Sequence, residues 1–192
     1  MTVILSVPSS GAAPALELRP WQPDDVPALL AAHRDPLLRR WLATSLADEA
    51  DARRWLDAQA TGWADATRFS FAVITDGAPV GHVVVKAGPD GTSEVGYWTA
   101  AQARGRGIAV SAVNTVSQWA FDVHALTRLA LLHAAGNEAS CRVAIRCGYV
   151  LEDALPAAPP AFPAEGHRHV RTASDQPRAV PSVVSKLDRF PS

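Results

Sequence analysis

The chain has few of the features that mark a secreted, membrane-bound or nucleic-acid-binding protein. Its 192 residues include only two cysteines, and no apolar run is long enough to cross a bilayer. The formal net charge is −1, with 18 basic and 19 acidic side chains. There is therefore no excess of positive charge to attract nucleic acid or an anionic membrane, and we expect neither as a partner.

The two cysteines do not predict a disulfide. Cys141 and Cys147 lie six residues apart in a helical pattern, so about 9 Å of helix rise separates them and they face different sides. We interpret both as packed, apolar side chains, which is consistent with a reducing compartment. Residues 1–14 lack the basic start of a secretory signal, so a cytoplasmic location is the expectation.

The chain does have enough apolar content for one sizeable core. Hydrophobic residues make up 48% of it and charged residues 19%, as in a globular protein. We expect a flexible N-terminal extension over residues 1–14 and a single domain over residues 15–192. Residues 154–178 are rich in proline, alanine and small polar residues and are interpreted as a long loop. Residues 179–187 have the character of a last strand.

The hydrophobic periodicity predicts an α+β chain with a mixed sheet. Three middle strands form a meander with a hairpin turn at Asp76-Gly77, and a later apolar strand follows a helical crossover, which indicates a parallel pair. We expect a mostly antiparallel sheet of six to seven strands with about four helices. Strands are predicted near residues 15–21, 68–75, 79–86, 92–100, 126–134 and 149–153, and helices near 26–33, 48–63, 106–123 and 138–147.

The most informative local feature is a strand that runs through a glycine-containing turn into a helix. Gly105 and Gly107 let the backbone of the turn bend steeply and let a ligand approach closely. The N-terminus of the next helix offers unpaired N–H groups and the positive end of the helix dipole, which favours a phosphate ligand. The turn lacks the Gly-Lys-Ser/Thr ending of a P-loop and the third glycine of a dinucleotide-binding fingerprint.

The pattern Gln-x-x-Gly-x-Gly, filled here by Gln102, Gly105 and Gly107, resembles the acetyl-coenzyme A loop of the GNAT N-acetyltransferase superfamily. The Gly-Tyr-Trp strand at residues 96–98 and the Asn-x-x-Ser helix start at residues 137–140 are similar to the branch of ribosomal-protein N-terminal acetyltransferases. The predicted order of elements also matches the GNAT fold over nearly the whole chain.

The resemblance implies an activity. Acetyl-CoA would be the co-substrate, no metal would be needed, and a primary amine would be the acceptor, either a small molecule or a peptide N-terminus. The amine would attack the thioester directly in a ternary complex. Two alternatives stay open, namely transfer of a different acyl group and a non-catalytic acyl-CoA-binding sensor. A homodimer is a further hypothesis.

The resemblance also implies which residues bind the coenzyme. Backbone amides of residues 104–109 would hold the pyrophosphate, and the pantetheine arm would run beside the strand end at residues 98–100. Arg104 and Arg106 are explained equally well as phosphate contacts or as solvated charges, and Asn137 also as a helix N-cap. The residues expected to bind the coenzyme are Trp98, Thr99, Ala100, Gln102, Arg104, Gly105, Arg106, Gly107, Ile108, Ala109, Asn137 and Ser140.

Two side chains are candidates for catalysis. Glu94 shares a strand face with Trp98 and is the candidate general base for the attacking amine; the alternative is a solvent-facing glutamate. Ser140 is the candidate donor to the departing thiolate, and the alternative is a capping role. Many GNAT enzymes use a tyrosine on the helix after the asparagine as general acid. Residues 138–147 contain no tyrosine, which places that mechanism in doubt here and favours Ser140 with water.

Two histidines near the end of the chain, His167 and His169, are spaced like a metal-binding pair, but no third ligand lies nearby in the sequence. We therefore favour a solvated loop for both and predict no metal. His133, at the end of an apolar strand, is interpreted as a core histidine, with a position facing the active site as the alternative.

The acceptor cannot be identified from the residues. The stretch that contains Leu37, Leu38, Trp41 and Leu42 is a candidate apolar wall for an acceptor pocket, although these side chains are also explained by packing under the helices. The histidines and arginines of residues 154–178 are candidates for contact with an acidic acceptor.

Overall fold

The computed structural model describes residues 3–11, 13–87, 92–159 and 163–175. Within these ranges eight strands form one sheet, flanked by five helices. The strands are β1 (Leu5–Val7), β2 (Leu16–Pro20), β3 (Arg68–Thr75), β4 (Ala78–Ala87), β5 (Ser93–Thr99), β6 (Arg128–Ala134), β7 (Val150–Leu155) and β8 (Gly166–Thr172). The helices are α1 (Val26–His33), α2 (Pro36–Trp41), α3 (Glu49–Ala64), α4 (Ile108–His124) and α5 (Glu138–Arg146).

The predicted mixed, mostly antiparallel sheet is confirmed. The strands lie in the order β1-β2-β3-β4-β5-β6-β8-β7, and every neighbouring pair is antiparallel except β5 and β6. The predicted hairpin turn is present, since Asp76 and Gly77 both have positive φ angles, of 51° and 76°. The numbers of strands and helices exceed the prediction because β1, β8 and α2 were not foreseen.

Part of the expected flexible extension belongs to the sheet. In β1, Leu5 pairs with Leu18 of β2 and is only 3% exposed, whereas the next residue, Ser6, is exposed. This alternation buries one face of a short strand. The prediction of a flexible segment over residues 1–14 is therefore wrong for its middle.

The expected long loop over residues 154–178 is interrupted by a strand. Strand β8 lies between β6 and β7 and is antiparallel to both, so the connection after β7 covers only residues 156–165. The histidines and arginines of β8 hide its strand character in the sequence. The predicted strand at residues 179–187 and the predicted turn at residues 89–91 lie outside the described residues.

Apolar clusters occupy both faces of the sheet. The larger packs β3, β4 and β5 against α4, and Phe71 and Val83 lie at its centre. The smaller joins α1, α2 and α3 to the opposite face, where Trp98 is buried. Because side chains alternate along a strand, Tyr97 packs on the α4 side and Trp98 on the α1 side. Among the described helices, none combines the length and apolar content that a bilayer crossing requires.

Candidate active site

The site begins where two parallel strands separate. Strands β5 and β6 are paired only at their starts, Ser93 with Leu129 and Glu94 with Ala130. Beyond that point the edge of β5 that faces β6 has no strand partner among the described residues. A cavity of about 580 Å³ opens there. Its walls are the end of β5, the start of α4, the start of α5, and α2.

The turn between β5 and α4 adopts the conformation that its glycines allow. Gly105 and Gly107 both have φ of +75°, and Gly107 is the N-cap of α4. No side chain caps this helix, so the N–H groups of its first turn keep no side-chain acceptor. A Cβ atom on Gly107 would lie 3.2 Å from the Cβ of Ala13. Both glycines line the cavity, which gives it a positive end suited to a phosphate.

Arg104 connects this turn to α2. Its Nε donates to the carbonyl of Thr99 at 3.1 Å, and its guanidinium forms an ion pair with Asp35. The Asp35 carboxylate also caps α2 by accepting from the backbone N–H of Leu37 at 3.0 Å. Arg104 is therefore a half-buried cavity residue with a partner, rather than a solvated charge. Arg106 is exposed.

The start of α5 places two polar side chains at the cavity. Asn137 caps the helix by accepting from the backbone N–H of Ser140 at 3.2 Å. The Ser140 hydroxyl is buried and accepts a hydrogen bond from the hydroxyl of Tyr97 on β5 at 3.1 Å. Burial raises the pKa of Tyr97 to about 12, so its phenol remains protonated at neutral pH.

Tyr97 lines the cavity, and the sequence analysis gave it no role. A tyrosine acid was expected only on the helix after Asn137, and residues 138–147 contain no tyrosine. The Gly-Tyr-Trp segment instead supplies a phenol from the facing strand, and the gap between β5 and β6 lets it reach Ser140. The Gly-Tyr-Trp segment is visible in the sequence, but Ser140, the hydrogen-bond partner of Tyr97, lies 43 residues further along the chain.

Glu94 does not line the cavity. Its carboxylate forms an ion pair with Lys86 Nζ at 2.9 Å, and its side chain is 20% exposed. It shares the sheet face of Trp98, as predicted, because Glu94 is registered with Lys86 and Trp98 with His82. It lies four residues before Trp98, however, or about 13 Å along the strand. The structure therefore does not bring Glu94 and Ser140 together.

The twelve residues expected to bind the coenzyme divide into two groups. Ala100, Gln102 and Arg106 lie outside the cavity lining. Those that line it are Trp98, Thr99, Arg104, Gly105, Gly107, Ile108, Ala109, Asn137 and Ser140.

Helix α2 and the residue after it supply an apolar part of the cavity wall. All four side chains proposed for an acceptor pocket line the cavity: Leu37, Leu38, Trp41 and Leu42. Leu38 also belongs to the smaller apolar cluster, so packing and wall-forming roles are combined there. Glu138 also lines the cavity, and its exposed carboxylate is paired with Arg142 at 3.4 Å.

The interpretation of His167 and His169 as residues of a solvated loop is wrong. Both lie on β8, and His169 is 1% exposed. The register of β8 with β6 places His133 opposite His167. Burial lowers the pKa of His133 and of His169. The sequence does not reveal this grouping because His133 and Cys141, which lie beside the two histidines, are distant from them along the chain.

Comparison with known proteins gives a consistent result. The chain matches the family model described as "Acetyltransferase (GNAT) domain" over residues 15–150. It is 38% identical over 60 residues to YdaF of Bacillus subtilis (strain 168), which is provisionally named a ribosomal N-acetyltransferase. That match spans 31% of this chain and only 33% of YdaF.

Solved structures share the fold. RimJ of Mycobacterium smegmatis, in complex with CoA-disulfide, superimposes with a TM-score of 0.78 at 21% identity, covering 93% of this chain and 90% of that one. RimL, the ribosomal L7/L12 alpha-N-protein acetyltransferase in complex with coenzyme A, gives 0.75 at 19% identity, covering 89% and 99%. The microcin C7 self-immunity acetyltransferase MccE, with acetyl-CoA and AMP, gives 0.72 at 18% identity, covering 86% and 97%.

Proposed function

Because the chain belongs to the GNAT acetyltransferase family, we propose that it transfers the acetyl group of acetyl-CoA to the N-terminal amine of a protein or peptide. The observation that carries this proposal is the gap between β5 and β6, with the uncapped N-terminus of α4 at one end and the Tyr97–Ser140 pair in its wall. This arrangement provides a phosphate site and a proton donor in a single cavity.

The unpaired edge of β5 is suited to an amide-containing chain. Ala100 donates to Val80 of β4, so the alternate residues Tyr97 and Thr99 direct their backbone N–H and C=O groups toward the gap. Such groups require partners when they are buried, and of these the Thr99 carbonyl already accepts from Arg104. The pantetheine arm carries amides that would pair with this edge as an added strand does. Its diphosphate would then lie against the first turn of α4, and Arg104 would be free to contact it if its ion pair with Asp35 opened.

The transfer itself needs no covalent intermediate on the protein. The neutral amine attacks the thioester carbonyl carbon, a C–N bond forms, and the C–S bond breaks. The departing thiolate takes a proton from the Ser140 hydroxyl, the Tyr97 phenol replaces that proton along its hydrogen bond, and water then returns a proton to the phenolate. The backbone N–H groups at the end of β5 are positioned to stabilise the oxyanion.

The attacking nitrogen must lose a proton. We propose that Glu94 accepts it through a chain of several water molecules, since its carboxylate is paired with Lys86 and lies too far from the cavity wall for one bridging water. Substituting Glu94→Gln should lower kcat about 100-fold, whereas Lys86→Met, which removes only the partner of the ion pair, should leave kcat near that of the wild type. Equal kcat values for Glu94→Gln and wild type would show that Glu94 is not the base.

A peptide N-terminus is favoured over a small amine as acceptor. The name of RimL specifies the alpha-amine of a ribosomal protein, and that of YdaF also refers to the ribosome. In this chain, the apolar α2 wall and the nearby Glu138 would suit a side chain and a cationic N-terminus, respectively. A cytoplasmic location and a homodimer stay predictions from the sequence.

Thiol release from acetyl-CoA tests the proposal. It would be measured against a panel of peptides with different N-terminal residues and, in parallel, amino sugars and free amino acids. We expect the peptides to give the highest kcat/KM. Turnover on small amines alone would contradict the acceptor class. Binding without turnover on any amine would support the sensor alternative, and turnover only with longer acyl-CoAs would support a different donor.

A further inference from the structure

Three imidazoles and one thiol converge on the side of the sheet that α5 covers. His133 on β6 is registered with His167 on β8, and Leu131 with His169, so the three histidines share one face. Their ring centroids lie 5.1 Å to 6.2 Å apart. Cys141, in the first turn of α5, faces them. One ligand atom from each of the four residues lies within 4.8 Å of the other three.

The ring nitrogens of this cluster lack the partners that buried nitrogens normally have. Neither nitrogen of His169 makes a hydrogen bond of good geometry with the described residues, although the side chain is almost fully buried and the backbone of Tyr149 lies close to it. His167 Nδ1 and His133 Nε2 likewise make no such bond with them. Buried polar atoms without partners are rare in native proteins and call for an explanation.

His133 is oriented as a metal ligand would be. Its Nδ1–H donates to the carbonyl of Ala134 at 2.8 Å, and a carbonyl oxygen can only accept. This bond fixes the tautomer, so Nε2 carries a lone pair directed into the cluster. A backbone carbonyl that holds the outer nitrogen of a histidine is a common feature of metal sites.

We propose that His133, Cys141, His167 and His169 bind one Zn²⁺ ion. Imidazole nitrogen and thiolate are donor types that zinc prefers, and three of the first with one of the second make up the four donors of a closed tetrahedral site. In a tetrahedral site with ordinary bond lengths the donor atoms are about 3.4 Å apart, so small side-chain rotations from the present spacing suffice. On binding, the S–H bond of Cys141 breaks and its proton passes to the solvent.

The site would attach α5 to the sheet directly beside the cavity. Ser140 lines the cavity and its neighbour Cys141 faces the histidines, so the two sides of one helical turn serve the two sites. Zinc would join this turn to β6 and β8 and thereby fix the start of α5. Four protein ligands leave no open position for a substrate, so the role we assign to the ion is structural.

Zinc binding by the full chain, without a histidine tag, tests the proposal. Protein stripped with a chelator would be titrated with Zn²⁺ against a chromogenic chelator, and with Co²⁺ while its absorption spectrum is recorded. We expect one Zn²⁺ per chain, a higher Tm with zinc, and a cobalt spectrum with tetrahedral d–d bands and a thiolate charge-transfer band.

Two variants of the cluster and two controls make the result specific. Cys141→Ser should abolish the thiolate band, and His169→Gln should weaken zinc binding more than about 100-fold. Cys147→Ser and His124→Gln change the same residue types outside the cluster and should bind zinc as the wild type does. Cys141 is half-buried, so its serine variant should fold, as the Tm without zinc will report.

Failure to bind zinc in competition with the chelator, or equal binding by the wild type and both cluster variants, would overturn the proposal. Because the measurement needs neither acetyl-CoA nor an acceptor, its outcome is independent of the acetyl-transfer activity.

Discussion

His82 illustrates how burial determines the charge state of a single residue beside the site. Its side chain is 7% exposed, and it stacks against Trp98 with ring centroids 6.0 Å apart. The Nε1–H of Trp21 donates to its Nδ1 at 3.0 Å. Burial lowers the pKa of His82 to about 3, so the imidazole is neutral in the folded protein.

This pKa predicts a loss of stability in acid. Between pH 6.5, the ordinary pKa of histidine, and about pH 3, the unfolded chain binds a proton at His82 that the folded chain does not. The free energy of unfolding should therefore fall as the pH falls, by at most about 1.4 kcal/mol per pH unit from this residue. His82→Gln keeps an acceptor for Trp21 and should reduce that slope in urea unfolding between about pH 6 and pH 4. An unchanged slope would exclude the contribution of His82.

The pair of Tyr97 and Ser140 predicts a defect in catalysis rather than in binding. Tyr97→Phe removes the proton that replenishes Ser140 and should lower kcat about 10-fold, whereas Ser140→Ala should lower it about 100-fold. The matched control is Tyr149→Phe, because the hydroxyl of Tyr149 is also buried but contacts Ser117 at 2.7 Å. Equal kcat values for Tyr97→Phe and Tyr149→Phe in steady-state kinetics would contradict the assignment.

At the scale of elements, the turn before α4 depends on two glycines that are not equivalent. An alanine at either position would be held at φ of +75°, which costs roughly 1–2 kcal/mol. At Gly107 the new Cβ would also contact Ala13, whereas no described atom lies within 4 Å of a Cβ at Gly105. Gly107→Ala should therefore lower the free energy of unfolding in urea more than Gly105→Ala does. Equal losses would show that the contact with Ala13 has no energetic effect.

Elements with strong local signals were predicted, and those that depend on the rest of the fold were not. The meander β3-β4-β5 follows from alternating apolar residues and the Asp76-Gly77 turn. Strand β8 carries histidines and arginines and becomes buried only through its pairing with β6 and β7. Helix α2 has only six residues, too few to show a clear apolar period, although Asp35 caps it and Pro36 begins it.

The same division applies to the site. The glycine turn and the Asn137 cap are encoded within a few residues, so they could be found in the sequence. The Tyr97–Ser140 hydrogen bond, the Lys86–Glu94 ion pair and the histidine cluster join residues of different elements. Their formation depends on the strand order and register, which periodicity does not determine.

At the scale of the whole molecule, the cavity lies on a seam in the sheet. The part built from β1 to β5 meets the part built from β6 to β8 through only two registered pairs at the start of β5, together with the packing of α4 and α5. A ligand in the gap would contact both parts. Since a ligand that binds only the folded state stabilises it, acetyl-CoA should raise the Tm of the protein.

Calorimetric titration of acetyl-CoA into the wild type and Gly107→Ala tests the central claim, that this gap is the coenzyme site of a GNAT acetyltransferase. We predict one molecule bound per chain of the wild type, and comparable binding of desulfo-CoA because the contacts proposed for binding are made by the diphosphate and the pantetheine amides. The affinity of Gly107→Ala should be about 10-fold weaker, because the turn at the N-terminus of α4 is distorted. No binding to the wild type, or the same affinity in both proteins, would contradict the claim.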